Sequence, residues 1–429
     1  MKRDVFKIEG GRRLSGTLKV SGNKNAALPM IAASLLASEK VVLENVPDIL
    51  DVKTMLEVVE GFGAKVSRDV AAGTVSVQAG RLRGCSIDSR TAAKIRASVL
   101  FAGPLLARCG KACLPPPGGD AIGLRRLDTH FDGFKAMGAK MRRRRDSLSV
   151  SGPLHGAEML LDEASVTATE NILMASVLAK GRTVIYNAAC EPHVEDLATM
   201  LVSMGAKIEG AGTNRIAVEG VESLSGCRAR VGCDYIEAGS YIAAAAATGG
   251  DITLENVEPG PFKVLERQFA RFGVKWEISG STLRFASPAK GRLRMKYDLG
   301  DAVPSIADGP WPAFPSDLVS ILVVLATQAR GTCLFFEKMF ESRLYFVDKL
   351  RQMGARIIQC DPHRVVVTGP TRLSAGVVTS PDIRAGIALM IAALAARGTT
   401  VIHNASIVDR GYPSVEKALA RLGARIERM

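Results

Sequence analysis

Ser21-Gly22-Asn23-Lys24-Asn25 stands directly ahead of the apolar run AALPMIAASLL. A helix starting there presents free backbone N–H groups beside one Lys, an arrangement suited to a phosphate or a carboxylate. The same residues serve equally as plain caps, because Ser and Asn are favoured at helix starts.

A second stretch, Cys113 to His130, reads CLPPPGGDAIGLRRLDTH. Between a strand residue and a helix start, Leu43 to Asp51 spans eight positions, whereas the comparable Leu114 to Asp128 spans fourteen. The longer connection is stiffened by three Pro and then loosened by two Gly, with Asp120 near its middle. That composition suits a mobile lid carrying an acid. A tolerated surface insertion fits it as well.

Charged residues also recur where other apolar runs begin. Arg96 opens one, and Asp382 with Arg384 opens another. Glu341 and Arg343 precede one helical pattern, Asp409 and Arg410 precede the last, and Asp317 follows the rigid stretch WPAFPS. Acids at helix N-termini offset the macrodipole, but arginines there are misplaced unless an anion or an acidic neighbour joins them. Several such arginines suggest a shared anionic ligand.

Other templates fail. The chain has no P-loop, no GxGxxG after a strand and no GxSxG elbow. His193-Val194-Glu195 is similar to the HxE of zinc deaminases, but the required PCxxC is missing. Glu191, His193, Glu195 and Asp196 therefore read as a solvated helix start, and no metal is expected.

The elements that position these residues are written six times, in units of roughly seventy residues. The landmark is a bulky apolar residue, Gly, a small residue and a base. It appears as Phe62-Gly63-Ala64-Lys65, Met137-Gly138-Ala139-Lys140, Met204-Gly205-Ala206-Lys207, Phe272-Gly273-Val274-Lys275, Met353-Gly354-Ala355-Arg356 and Leu422-Gly423-Ala424-Arg425. Each ends a helical pattern with a Gly of positive φ and runs into strand. Alternating stretches such as VFKIEGGRRLSGTLKV, RIAVEGVESLSGCRARV and RVVVTGPTRLSAGVV read as hairpins, with TLRFASPAKGRLRM a degenerate copy. Each is followed by a small-residue helix, apolar all round and so buried, and then a strand. A chain of 429 residues is too long for one core, so six units most simply make two globes of three.

Composition narrows the partners. With 47% hydrophobic and 23% charged residues the chain looks like a soluble globular protein, and its longest apolar runs are too short to span a bilayer. Eight Cys without CxxC pairs suit reduced thiols in a cytoplasmic protein. The net charge of +13 comes with only 5% aromatics, which argues against nucleic acid and for small anionic substrates. The densest basic run, Arg142 to Arg145, reads as a solvated edge strand.

Taken together, SGNKNAALP, IRASVLFAGPLLAR, GGDAIGLRRLDTH, SVTATENILMA, PAFPSD, FESR, DIRAG and DRGY resemble the UDP-N-acetylglucosamine 1-carboxyvinyltransferase (enolpyruvyl transferase) family of the EPSP synthase-like superfamily. The resemblance covers essentially the whole chain. It implies an α/β fold, a two-domain inside-out α/β barrel built from six repeated units, with the active site in the cleft between domains. One domain would comprise residues 1–21 and 233–429, and the other residues 22–232 with a lid at 113–127.

The implied reaction moves the enolpyruvyl group of phosphoenolpyruvate to the 3-hydroxyl of UDP-N-acetylglucosamine and releases phosphate. It is the first committed step of peptidoglycan precursor synthesis and needs no cofactor or metal. By motif, Lys24, Asn25, Arg125, Arg343, Arg384 and Arg410 contact phosphoenolpyruvate, and Asp120, Lys24, Asp317 and Arg410 form the catalytic set. Arg96, Arg125, Arg126, Leu127, Asp128, Thr129, Glu163, Ala164, Ser165, Val166, Asp317 and Met339 line the nucleotide-sugar. The resemblance implies no nucleic-acid or membrane partner and leaves the oligomeric state open.

Two departures stand out. Most family members carry Cys at the lid position of Asp120, though some carry Asp. A carboxyl there delivers a proton if the closed site keeps it protonated. Fosfomycin, an epoxide that alkylates the lid Cys, would not find that nucleophile here. Glu163 stands where some relatives have Lys, and Thr167 replaces a common Gly. Both bear on the nucleotide and keep two alternatives in view: a different uridine nucleotide acceptor, or a non-catalytic nucleotide-sugar-binding paralogue.

Overall fold

In the computed structural model, residues 4–120, 122–288 and 293–429 are described. Ala121 of the lid stretch and residues 289–292 of the degenerate copy lie outside them. The chain forms two compact units. Unit 1 holds Met1–Ser21, Ala121–Leu124 and Cys233–Met429, and unit 2 holds Gly22–Asp120 and Arg125–Gly232.

Unit 1 is built on the helices Tyr235–Thr248, Val319–Gln328 and Ile383–Ala395, which pack on one another. From Ile383 to Leu394 every residue is buried, so this helix has no polar face to turn to solvent. Each fully buried Leu or Ile contributes about 1.5–3 kcal/mol relative to exposure, which is why a helix apolar but for Arg384 takes the middle of the unit. In unit 2 the helices Ala102–Cys109 and Val166–Ser176 pack on each other, and Lys24–Ala33 packs on the turn Arg96–Phe101 that precedes Ala102–Cys109. Small residues let these helices approach closely. A Cβ on Gly103 would lie 2.4 Å from the Asn171 carbonyl oxygen.

Within one repeat, a strand, a buried helix and a second strand form a right-sized β-α-β crossover. Glu158–Leu160 pairs in parallel with Arg182–Tyr186 across the helix Val166–Ser176, and Val377–Thr379 pairs with Thr399–His403 across Ile383–Ala395. The landmark strands then add the antiparallel hairpins, as in Lys65–Asp69 with Thr74–Gln78. All six landmark glycines have φ between +76° and +105°. Behind five of them the next N–H closes back onto the helix, as Ala139 N to the Phe134 carbonyl.

The stretches read as hairpins with Gly and Leu in the connection are not hairpins. Val5–Glu9 pairs with Thr399–His403 and Arg425–Arg428, whereas Ser15–Lys19 pairs with Asp251–Glu255 in a different sheet. Arg215–Glu219 and Arg228–Arg230 likewise part company. The connections are longer than the two-residue turns that close tight hairpins. Their leucines, Leu14, Leu154, Leu224 and Leu373, are buried, so each connection is a passage pinned between sheets.

One exchange explains the split of unit 1 along the chain. The strand before the first buried helix, Ser15–Lys19, pairs parallel to Asp251–Glu255. The strand before the fourth, Arg228–Arg230, pairs parallel to Lys40–Glu44. The basic run falls where expected: among the described residues Lys140–Arg144 is an exposed edge strand paired to Ser147–Ser151.

Candidate active site

In unit 2, Lys24 is the first residue of its helix, whose cap is Asn23: the Asn23 side chain accepts from Ala26 N at 3.1 Å. Lys24 Nζ lies 2.7 Å from Asp51 Oδ2, with the two side chains 11% and 5% exposed. Sequence reasoning treats Asp51 only as a helix start, and its role as a partner of Lys24 had no signal in spacing. A largely buried ammonium beside a carboxylate is a cation held in one place by its partner. Asn25 follows, half-buried.

The lid stretch is less loose than its composition suggests. Gly118 N donates to the Ala92 carbonyl at 3.0 Å, and a Cβ on Gly118 would sit 1.8 Å from the Ala93 carbonyl oxygen. Gly119 has φ +113° and lies against the Arg96 side chain. These glycines are therefore sites of close backbone approach, and the expectation that they loosen the loop is corrected. Asp120 follows them, half-buried. Farther on, Leu124 N donates to Glu341 Oε1 at 2.9 Å and Ser342 N to the Ile122 carbonyl at 3.1 Å, contacts that group residues 122–124 with unit 1.

Arg96 acts as a clamp on backbone. Its Nη2 donates to the carbonyls of Arg125 at 2.5 Å and Arg126 at 3.1 Å. Burial, with repulsion from Arg125, pulls its guanidinium down to about 10. The segment it holds continues through half-buried Leu127 to Asp128 and Thr129. Thr129 Oγ1 donates to Asp162 Oδ1 at 2.6 Å, and Arg126 bridges Asp128 at 3.2 Å and Asp162 at 3.4 Å. Residues 125–129 and the loop bearing Glu163, Ala164, Ser165 and Val166 are thus brought together.

Thr167, one of the departures, has a structural partner. Gly103 N donates to Asn171 Oδ1, which fixes that amide and makes its Nδ2 the donor to His130 Nδ1 at 2.9 Å. The proton of the neutral ring then sits on Nε2 and is given to Thr167 Oγ1 at 3.1 Å. Burial, with Arg96 nearby, holds His130 down at about 3, so the ring stays neutral. His193 is also buried, which corrects the reading of residues 191–196 as a solvated helix start. Among the described residues no group of acids, His or Cys could hold a metal ion.

In unit 1, Asp317 lies in the turn Ser316–Leu318 that leads into the helix Val319–Gln328. Its Oδ1 accepts from Arg343 Nη2 at 3.0 Å and its Oδ2 from Arg384 Nη2 at 2.8 Å. Both arginines are about 5% exposed or less. Arg384 also donates to Tyr412 Oη at 3.2 Å, and Tyr412 contacts Ser240 Oγ at 2.9 Å. Burial works against the charge on Arg384, but Asp317 and the surrounding groups hold it well above its ordinary value. Burial pushes Tyr412 up to about 12, partly offset by Arg384. Asp382 caps the helix of Arg384 by accepting from the N–H groups of Arg384 and Ala385. Arg410 ends the turn Ala405–Arg410, two residues before Tyr412, and Met339 is 38% exposed. Ser240 escaped sequence reasoning, and Tyr412 entered only as the end of DRGY without a role, because neither type nor spacing marks a buried hydroxyl.

The arrangement sets Lys24 against Asp51 in unit 2, and Arg343 with Arg384 against Asp317 in unit 1. Residues 8–419 match the family described as EPSP synthase (3-phosphoshikimate 1-carboxyvinyltransferase). Proteins named UDP-N-acetylglucosamine 1-carboxyvinyltransferase are 49% identical in Treponema denticola and 50% identical in Borreliella burgdorferi, each over 98% of both chains. The fold is similar to that of the enolpyruvyl transferase NikO from Streptomyces tendae, with a TM-score of 0.88, 25% identity and coverage of 100% of this chain and 99% of that one. An EPSP synthase from Acinetobacter baumannii shares the fold at a TM-score of 0.76 and 19% identity, over 99% of this chain and all of that one. Identity near one half over almost the full length places this chain in the UDP-N-acetylglucosamine 1-carboxyvinyltransferase family of enolpyruvyl transferases.

Proposed function

We propose that this enzyme transfers the enolpyruvyl group of phosphoenolpyruvate to the 3-hydroxyl of UDP-N-acetylglucosamine, releasing phosphate. The observation that carries the reading is Asp317, held by Arg343 and Arg384 on a sequence that is half identical to carboxyvinyltransferases named for that acceptor. The acceptor oxygen forms a bond to C2 of phosphoenolpyruvate while the C3 methylene takes a proton. The resulting tetrahedral phospho-ketal then loses phosphate and one proton from the new methyl group.

In this reading Asp317 takes the hydroxyl proton and Asp120 delivers one to the methylene. Lys24, with Asn25 alongside, contacts phosphoenolpyruvate, Arg125 and Arg410 meet its phosphate side, and Arg343 and Arg384 its carboxylate. Arg96, residues 125–129, residues 163–166 and Met339 take the nucleotide-sugar, with Asp317 beside the reacting sugar hydroxyl. The basic residues given these roles suit two anionic substrates. Work in the cytoplasm, in cell-wall, cell-shape and cell-division pathways, belongs to the same reading, as does resistance to fosfomycin through Asp120.

Phosphate release with phosphoenolpyruvate and a panel of acceptors tests it. Release only with UDP-N-acetylglucosamine is expected. Release with another uridine nucleotide alone would change the acceptor, and binding of the nucleotide-sugar without any release would replace catalysis by sensing.

A further inference from the structure

Behind the arginine pair of unit 1 lies a second acidic pair that the proposed chemistry does not use. Glu337 follows the strand Gly331–Phe336 and is fully buried, and Asp308 follows Ser305–Ala307 and is 2% exposed. Glu337 accepts from Ser316 Oγ at 2.8 and 2.9 Å and from Phe340 N at 3.2 Å. Asp308 Oδ1 accepts from Lys338 N at 2.5 Å, while its buried Oδ2 finds no donor among the N–H and O–H groups of the described residues. The Asp308 carboxyl instead faces that of Glu337. Two carboxylates cannot bond each other without a proton between them, and a carboxyl proton on Glu337 supplies the donor that Oδ2 lacks.

Arg343 is the cation beside the pair among the described residues. Arg343 Nε stands 4.0 Å from Glu337 Oε2, buried and with no hydrogen-bond partner among the described residues, while its Nη2 is given to Asp317. From the hairpin opposite, His363 touches only the Glu337 main chain, through Nδ1 to its carbonyl at 2.7 Å. Lys338 turns its ammonium over the Phe336 ring. Ser316, which bonds Glu337, directly precedes Asp317.

We propose that Glu337 and Asp308 share one proton and act as a positioning pair, keeping the Arg343 guanidinium directed to Asp317 and the anionic substrate. The inference rests on the functional reading above for the identity of that anion, phosphoenolpyruvate. While Glu337 is neutral, Arg343 has one carboxylate to satisfy. Once Glu337 ionises, it offers Arg343 Nε an acceptor within reach and competes for the same guanidinium. Burial and Asp308 push Glu337 up to about 9, so the competition begins on the alkaline side of neutrality.

Steady-state kinetics between pH 7 and 10 test it. In the unmodified enzyme KM for phosphoenolpyruvate should climb above about pH 9, approaching tenfold per pH unit, with kcat moving less. Glu337→Ala should raise KM already at pH 7.5, and Glu337→Gln, which keeps the neutral shape, should restore it and flatten the alkaline climb. Asp308→Asn removes the negative neighbour and offers Glu337 an N–H, so the climb should start closer to neutral pH. Should Glu337→Gln fail to fold, as a melting curve would reveal, the Asp308→Asn profile decides alone. An alkaline climb unchanged in Glu337→Gln, or unmoved in Asp308→Asn, overturns the inference. The two readings fail separately: an unmodified protein inactive with every acceptor overturns the functional one, and an active protein whose climb ignores both variants overturns only this one.

Discussion

Arg384 Nη2 lies 2.8 Å from Asp317 Oδ2, although the two residues are 67 positions apart and start different buried helices. The pairing ties the orientation of the proposed base to the cation expected at the substrate carboxylate. Arg343 holds the other oxygen of the same carboxylate. A base whose two oxygens are both committed is a base with one orientation, which is what proton abstraction from a positioned hydroxyl requires.

Asp317→Ala should therefore abolish turnover while nucleotide-sugar binding survives. Loss of a positioned acid–base group costs on the order of a hundred- to ten-thousand-fold in rate. The variant also leaves Arg343 and Arg384 without their shared acid, so phosphoenolpyruvate should protect it against heat more than it protects the unmodified enzyme. Turnover assays, titration calorimetry with UDP-N-acetylglucosamine and melting curves check the three parts. Near-normal turnover would remove Asp317 from the role of base.

The Lys24–Asp51 pair predicts a substrate-dependent defect of another kind. Breaking a buried ion pair by removing one partner typically costs about 3–5 kcal/mol, because a charge is left in a poor solvent. Asp51→Asn should lower the melting temperature, and inorganic phosphate or phosphoenolpyruvate should recover more of the loss than in the unmodified protein. Equal shifts in both proteins would mean that the substrate anion does not meet Lys24.

Much of this was legible in residue patterns. The glycine landmarks gave the six repeats because only a left-handed turn ends each helix, and all-apolar helices announced their own burial. Hairpin assignments failed for a definite reason. Alternation marks a strand but carries no information on its partner, and the buried leucines of Leu14, Leu154 and Leu373 separate strands that sequence places side by side. At the candidate site, Lys24, Asp317, Arg343 and Arg384 stood out by type and by position at helix starts. Asp51, Tyr412 and Glu337 did not, since their roles come from side chains that meet only after the sheets and helices pack.

Glu237 offers a pH-dependent stability test away from the substrates. It is buried at the chain passage between the first strands and the first helix, accepting from Ser21 N at 2.8 Å, Ser21 Oγ at 2.5 Å and Tyr241 Oη at 3.1 Å. Burial, with Asp234 nearby, pushes its carboxyl up from 4.5 to about 7 despite those donors. The folded state thus holds a proton that the unfolded chain has released. Its stabilising contribution is complete below about pH 4.5 and is lost as pH rises through about 7. Over that window the loss is on the order of 3 kcal/mol. Glu237→Gln should therefore gain stability on the unmodified protein as pH rises from 5 to 8, measured by urea denaturation. Parallel pH profiles for the two proteins would show that Glu237 does not titrate on unfolding.

The lid acid gives the most direct chemical test. An epoxide needs a nucleophile, and a thiolate is far more reactive toward it than a carboxylate. Asp120 stands at the proposed lid position, and the nearest thiol along the chain, Cys113, lies seven residues earlier on the strand Lys111–Leu114, before the Pro run. Exposed Cys109 is a poor substitute, because burial around its sulfur pushes the thiol above its ordinary range. Gly118 and Gly119 pack against Ala93 and Arg96, so the stem just before Asp120 is fixed and a side chain exchanged at 120 keeps its starting point. Fosfomycin should accordingly leave the unmodified enzyme active. Asp120→Cys should restore time-dependent inactivation with mass added at residue 120, and Asp120→Ala should depress turnover without a change in melting temperature. Rapid inactivation of the unmodified protein, with the added mass on the lid, would mean that a carboxylate at this position is nucleophile enough and that resistance does not follow from the residue type.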